Sequence, residues 1–230
     1  MLLIIAPEEK YINNLVNKFD YTKKSSINKM NIYNCNYNNQ QFLITATGYG
    51  KVNIIDTLRY LCDNYDIKVI AQIGTAGSVS DNNDIFNAVV FSNSLQYDVD
   101  FSPNGYLPGV FPNSLKGIYP TNDDLKECMQ RSCDVCGVNY TNDLIASGDM
   151  FVCNNNLANS IRREYNAGAV DVESGVVGQF AYQNKIPYVG VKVISNFAYN
   201  NAIRQYNLYE EEAILTSQKI AGKFIKNYYD

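Results

Sequence analysis

Lys68-Val69-Ile70-Ala71-Gln72-Ile73-Gly74-Thr75-Ala76-Gly77 is the stretch whose reading decides the fold. Its first six residues form a short, mostly apolar run suited to a buried strand. The last four are small and present backbone N–H groups where that strand closes. Open α/β sheets bind ligands outside the carboxyl ends of their strands, which makes this end a candidate site. Outward from it, strand and helix patterns alternate. Leu2–Ala6 reads as a buried strand, and from Glu8 onward Ile12, Leu15, Val16 and Phe19 recur at helical spacing. Residues 31–36 and 41–45 flank an Asn-rich tetrapeptide suited to a hairpin turn. Further strands are expected at 85–91, 144–147, 167–172 and 188–195. Helices are expected at 52–64, 123–130, 157–165 and 176–183, with a closing amphipathic helix at 208–228. This order predicts one α/β domain over residues 1–230, with a central, mostly parallel (mixed) twisted sheet and helices on both faces.

Composition narrows the function. The 230 residues suffice for a substantial core, and 46% hydrophobic with 18% charged residues describes a packed globular chain. The net charge of −4 and the scattered lysines argue against nucleic acid as a partner. Histidine is absent, which removes His-based triads, imidazole shuttles and His metal sites and leaves acid–base work to carboxylates, Lys, Tyr or Cys. Asn and Tyr are abundant and Trp is absent, as nucleotide bias in an AT-rich genome produces, so a single Asn carries less information than usual. Cys133 and Cys136 form a CxxC with no second CxxC or His to complete a zinc site, so neither a metal nor an organic cofactor is expected. The apolar start is too short for a signal-peptide core, and no apolar run reaches the roughly 18 residues of a membrane span. A cytoplasmic location is the expectation.

Several segments could carry chemistry. Gly48-Tyr49-Gly50-Lys51 sits between a strand and a helix, but lacks the third glycine of a dinucleotide fingerprint and the Ser/Thr of a P-loop. Ser147-Gly148-Asp149-Met150-Phe151 and Asp171-Val172-Glu173-Ser174 place carboxylates just past buried runs, as caps, ion pairs or ligand contacts. The last strand ends in Val193-Ile194-Ser195-Asn196-Phe197, with two polar side chains at one sheet edge. If the strands ending near Ile73, Ser147, Val172 and Ser195 are neighbours, all four segments open onto one cleft. Residues 92–117 form a long, proline-containing stretch whose Tyr97, Phe101, Tyr106 and Phe111 argue for a packed loop that covers something or meets a partner subunit.

In order, TGYGKVN, QIGTAGSVS, YDVDFSPNGYLPG, ASGDMFV, AVDVESGVVGQFA and VKVISNFA resemble the purine nucleoside phosphorylase and nucleosidase superfamily, with the wording nearest its methylthioadenosine/S-adenosylhomocysteine nucleosidase branch. The resemblance covers nearly the whole chain. It implies cleavage of an N-glycosidic bond through an oxocarbenium-like ribosyl cation. It further implies that Glu173 holds the ribose hydroxyls with Val172 against the sugar. Phe151 and Val152 would form the base slot, Ala76 and Gly77 its opposite side, and Ser195 and Asn196 would meet the purine edge. Phe101, Leu107 and Pro108 would close over the 5′ substituent, partly from the other subunit of a homodimer, with Tyr206 assisting. Phosphorylases of the superfamily hold phosphate with arginines; Gln72 stands where one would precede the strand-end glycine, which favours water as the nucleophile.

Two positions depart from the pattern. The family's general acid is an Asp where this chain has Asn196, and an amide delivers no proton. Three explanations stay open: a 6-oxopurine nucleoside substrate of the futalosine or inosine type, an Asp changed to Asn to trap a substrate, or a site reduced to nucleoside binding. The family's water-activating Glu aligns with Lys10. A one-residue gap puts Glu9 in that role, although Glu9 also suits a solvated helix N-terminus.

Overall fold

A computed structural model describes residues 1–27, 29–112, 114 and 116–230. The elements run β1 (Leu2–Ala6), α1 (Asn13–Val16), β2 (Asp20–Ile27), β3 (Met30–Tyr37), β4 (Gln40–Ala46), α2 (Lys51–Asn64), β5 (Val69–Ser78) and β6 (Ala88–Gln96). They continue with β7 (Ile118–Pro120), α3 (Asp123–Cys136), β8 (Tyr140–Ser147), α4 (Asn155–Tyr165), β9 (Ala167–Asp171), α5 (Ser174–Gln183), β10 (Tyr188–Phe197) and α6 (Ala202–Tyr229).

The strands form one mixed sheet in the order β10-β6-β8-β9-β5-β1-β4-β3-β2, with β7 on β6. β10 also pairs with β5, so five strands close on themselves while β1, β4, β3 and β2 extend from the ring. Closure depends on strands that change partners along their length. The first half of β5 pairs with β1, and its end, Gly77 and Ser78, pairs with β9. β10 bends at a register shift between Ile194 and Asn196, as a bulge bends a strand.

Side-chain alternation along the strands builds two core layers. Leu2 and Ile4 join Ile12, Leu15, Met129 and Phe224 under α1, α3 and α6. Leu3 and Ile5 join Ile54, Leu58 and Phe180 under α2 and α5. The α/β architecture with helices on both faces therefore follows the sequence pattern.

Boundaries differ where long-range pairing outweighs local signals. Gly74-Thr75-Ala76-Gly77 does not end the strand: β10 supplies partners along β5 as far as Ser78. β6 extends to Gln96, so the irregular stretch begins only after it; residues 113 and 115 of that stretch lie outside the described residues. The helix expected after Glu8 is a single 3-10 turn, Glu9–Tyr11, followed by the four-residue α1. β2 is too polar to announce itself and forms by pairing with β3. The β3–β4 hairpin turns at Asn38 and Asn39, both with positive φ (50° and 61°), as a tight primed turn requires. Among the described residues no helix is long and apolar enough to cross a membrane.

Candidate active site

A cavity of about 550 Å³ opens where β1, β4, β5, β8, β9 and β10 end. Pro7 and Tyr11 follow β1, and Tyr49 and Gly50 follow β4. Thr75, Ala76 and Gly77 come from β5, Asp149 to Val152 from the loop after β8, Asp171 to Glu173 from the end of β9, and Ser195 and Asn196 from β10. Tyr206 closes the wall from α6.

At the floor lies Glu173, 3% exposed, at the N-cap of α5. Its Oε2 accepts from Gln72 Nε2 at 3.0 Å and from the Lys192 ammonium. Lys192 also stands 3.2 Å from Asp171 Oδ2. Asp171 itself fastens the strand-to-helix turn, accepting from the Glu173 and Ser174 amides at 3.2 and 3.0 Å and from the Ser174 hydroxyl. Gln72 is oriented in turn by Tyr188, whose hydroxyl donates to Gln72 Oε1 at 2.6 Å. Gly74 makes room for the lysine: with φ at +148°, a side-chain Cβ there would stand 2.8 Å from Lys192 Nζ. Burial and the neighbouring Asp171 charge push the Glu173 carboxyl above its usual range against the pull of Lys192. Burial opposes charge on Lys192, but the two carboxylates outweigh it and hold the ammonium protonated.

One end of the cavity suits a flat ring. The Phe151 ring meets Tyr206 edge-on with centroids 5.5 Å apart. Val152, Ala76 and Gly77 supply small apolar surface. Asn196 is buried beside Gly77, where an added Cβ would stand 2.9 Å from Asn196 Nδ2. The Ser195 hydroxyl donates to Asn196 Oδ1 at 2.9 Å.

Tyr206 also joins a group of phenols on the cavity wall with Tyr11 and Tyr49. The Tyr11 hydroxyl donates to Glu210 Oε1 at 3.0 Å and lies 3.2 Å from Thr75 Oγ1 and 3.3 Å from Tyr206 Oη. Tyr206 also donates to Glu210, and Lys10 reaches the same oxygen at 2.8 Å. The Tyr49 hydroxyl donates to Glu8 at 3.1 Å. Burial raises the Tyr11 and Tyr49 phenols, with neighbouring phenols and, for Tyr49, Glu8 and Glu173 adding to the shift. Both remain protonated at neutral pH.

The structure thus brings Ala76, Gly77, Phe151, Val152, Val172, Glu173, Ser195, Asn196 and Tyr206 to one cavity. Other sequence candidates fall outside its lining. Glu9 faces β3, accepting from the Asn31 amide at 2.8 Å and the Tyr33 hydroxyl at 3.2 Å, because the short turn that carries it sends Tyr11 inward instead. Lys10 lies behind the phenolic wall, paired with Glu210 and Glu8. Phe101, Leu107 and Pro108 sit on the exposed loop after β6, Leu107 at 75% exposure. The CxxC belongs to α3, with Cys133 in the core. Among the described residues no group of three or more Cys, Asp or Glu is placed to hold a metal ion. Sequence reading missed Tyr11, Lys192 and Glu210, of which only Lys192, a charge inside an apolar strand, carried a signal; Tyr49 lay inside the Gly48–Lys51 segment without being singled out.

The fold and its cavity define an α/β protein with a small-molecule site at its strand ends. The chain belongs to the phosphorylase superfamily, whose family pattern matches residues 2–227. It is 27% identical over 228 residues to the 5'-methylthioadenosine/S-adenosylhomocysteine nucleosidase of Staphylococcus carnosus, covering 99% of this chain and 100% of that one. Its fold matches futalosine hydrolase of Helicobacter pylori with a TM-score of 0.92 at 21% identity, over 98% of this chain and 97% of that one. The same score, identity and coverages hold for an Asp-to-Asn variant of the Helicobacter pylori nucleosidase with 5'-methylthioadenosine in its active site.

Proposed function

We propose that the chain hydrolyses the N-glycosidic bond of a purine nucleoside, with water as the nucleophile. The observation that carries this reading is a buried carboxylate, Glu173, at the floor of a cavity that also presents an aromatic wall and the Asn196 amide. Glu173 accepts the ribose hydroxyls, and its negative charge faces the positive charge that grows on the sugar as the bond breaks. Val172 packs against the sugar, Phe151 and Val152 against the purine, and Asn196 hydrogen-bonds the departing base. No proton passes from Asn196, and general acid catalysis supplies about 10²–10⁴ in rate where present. The named nucleosidase and hydrolase relatives support the reaction class. Gln72 favours water over phosphate, because it brings no guanidinium and its amide is engaged with Glu173.

One contact favours a 6-oxopurine as the base. With the Ser195 hydroxyl donating to Oδ1, Asn196 keeps its Nδ2, beside Gly77, as the donor it offers at the cavity wall. Hypoxanthine offers acceptors at both N7 and O6, whereas adenine carries a donor amino group at that edge.

The protein is proposed to act in the cytoplasm as a homodimer. Its six cysteines are free thiols, as a reducing compartment keeps them. The loop bearing Phe101, Leu107 and Pro108 is apolar and exposed, fitted to cover a partner's cavity. Light scattering checks the dimer. Chromatography of base released from methylthioadenosine, S-adenosylhomocysteine and inosine, with and without phosphate, tests the reaction: phosphate-independent release supports it, and phosphate-dependent release overturns hydrolysis. A nucleoside that binds without base release leaves a binding protein.

A further inference from the structure

Gln72 is a neutral amide buried within β5, directly opposite Gly190 of β10. Such a group costs stability unless its polar atoms are paired, and both ends of this one are. The buried Tyr188 hydroxyl donates to Oε1 at 2.6 Å, and Nε2 donates to Glu173 Oε2 at 3.0 Å. Each contact fixes the other, because turning the amide over would set its oxygen against the Glu173 carboxylate and its NH2 against the phenol proton. The Tyr188 ring packs against Phe91 with centroids 6.3 Å apart, and Phe91 fills the place that a Cβ at Gly190 would need. The two carboxylate oxygens of Glu173 therefore differ. Oε2 takes the Gln72 amide and the Lys192 ammonium. Oε1 accepts from none of the described residues, yet it is not sealed in: the enclosed side-chain atoms without a partner among those residues are Asn34 Oδ1 and Ser94 Oγ. Glu173 lines the cavity, so its free oxygen is the one a ligand reaches.

We propose that Gln72, oriented by Tyr188, is a positioning residue that holds the Glu173 carboxylate so that Oε1 alone meets the sugar hydroxyls of the nucleoside, and thereby sets selectivity for a ribose. This rests on the nucleosidase reading and adds to it two residues that act through Glu173. Lys192 supplies charge to the same oxygen, but an ammonium is a point charge whose donors rotate. The planar amide, anchored at both ends, fixes the direction in which the carboxylate faces. Sites built to bond a hydroxyl discriminate strongly against the analogue that lacks it, provided the bonding group is held in place.

The test compares kcat/KM for base release from inosine and 2′,3′-dideoxyinosine, and from adenosine and 2′,3′-dideoxyadenosine, in wild type, Gln72→Met, Tyr188→Phe and the double variant. The intrinsic lability of the dideoxy sugars is common to all four proteins and cancels when their ratios are compared. The ratio of ribose to dideoxy use is expected to fall about tenfold or more in Gln72→Met. Tyr188→Phe lowers it in the same direction and adds nothing in the Gln72→Met background. Ribose and dideoxy substrates slowed alike, with the ratio unchanged, overturn the proposal and leave the nucleosidase reading standing. Should Gln72→Met not fold, Tyr188→Phe, which keeps the ring, decides by the same ratio. If wild type releases no base, the hydrolytic reading falls and the ratio is read as calorimetric Kd: its loss in the variants supports the positioning role, and its persistence overturns it. Absence of both binding and release removes both.

Discussion

Lys192 and Glu173 lie nineteen residues apart and meet in the interior, the wholly buried ammonium contacting Glu173 Oε2 while standing 3.2 Å from Asp171 Oδ2. Two carboxylates thus depend on one cation, and removing it leaves charge buried without a partner. Lys192→Met keeps much of the aliphatic stem, yet the expected loss is about 3–5 kcal/mol of unfolding free energy. Urea unfolding at neutral pH measures it; a change below about 1 kcal/mol contradicts the dependence.

Glu173→Gln leaves Lys192 paired with Asp171 and preserves the cavity's shape. Base release should fall by about 10² or more, the scale on which a lost transition-state electrostatic contact is felt, with nucleoside affinity also weakened. Steady-state kinetics and calorimetry check both; unchanged turnover removes Glu173 from the chemistry.

Asn196→Asp restores a group able to carry a proton beside the departing base. Adenine release from adenine nucleosides is expected to rise, within the about 10²–10⁴ span of general acid catalysis, while hypoxanthine release does not share the gain. No increase in adenine release would show that residue 196 does not limit the reaction.

Glu210 ties acid stability to the phenolic wall. Its partial burial works to raise the carboxyl, but hydrogen bonds from Lys10, Tyr206 and Tyr11 outweigh this and hold it below its ordinary value of 4.5. A carboxyl lowered in the folded state contributes stability that is fully present above the unfolded value and is lost as pH falls through the folded one. Wild type should therefore lose stability relative to Glu210→Gln as pH falls below 4.5. Urea midpoints at pH 6, 5, 4 and 3 follow the difference; parallel curves exclude a Glu210 contribution.

Gly175 lets α5 approach β6 closely: a Cβ there would stand 2.2 Å from the Leu95 carbonyl oxygen. The Gly175 amide also donates to Ser147 Oγ at 2.8 Å, fixing the helix start that carries Glu173. Gly175→Ala is expected to cost about 1–3 kcal/mol or more. Thermal unfolding with base-release assays should show both stability and turnover falling; an unperturbed protein would mean that the backbone contact relaxes freely.

Much of the architecture was legible locally. The unbroken apolar run Leu2–Ala6 marks a strand covered on both faces, and the order of strands and helices implies layers around a sheet. The segments Asp171–Ser174 and Ser195–Asn196 were legible as polar residues closing apolar runs, whereas particular roles for Glu173 and Asn196 came only from the family resemblance. Tertiary structure decided which of these features face one another. Closure of β5 on β10, the inward turn of Tyr11 in place of Glu9, the double pairing of Lys192 and the capture of Tyr11 by Glu210 all join residues distant in the chain. The physical reason is that periodicity records how each segment divides apolar from polar surface. Strand partnership, bulges and shared buried charges are set only when all segments compete for the same space and the same hydrogen-bond partners.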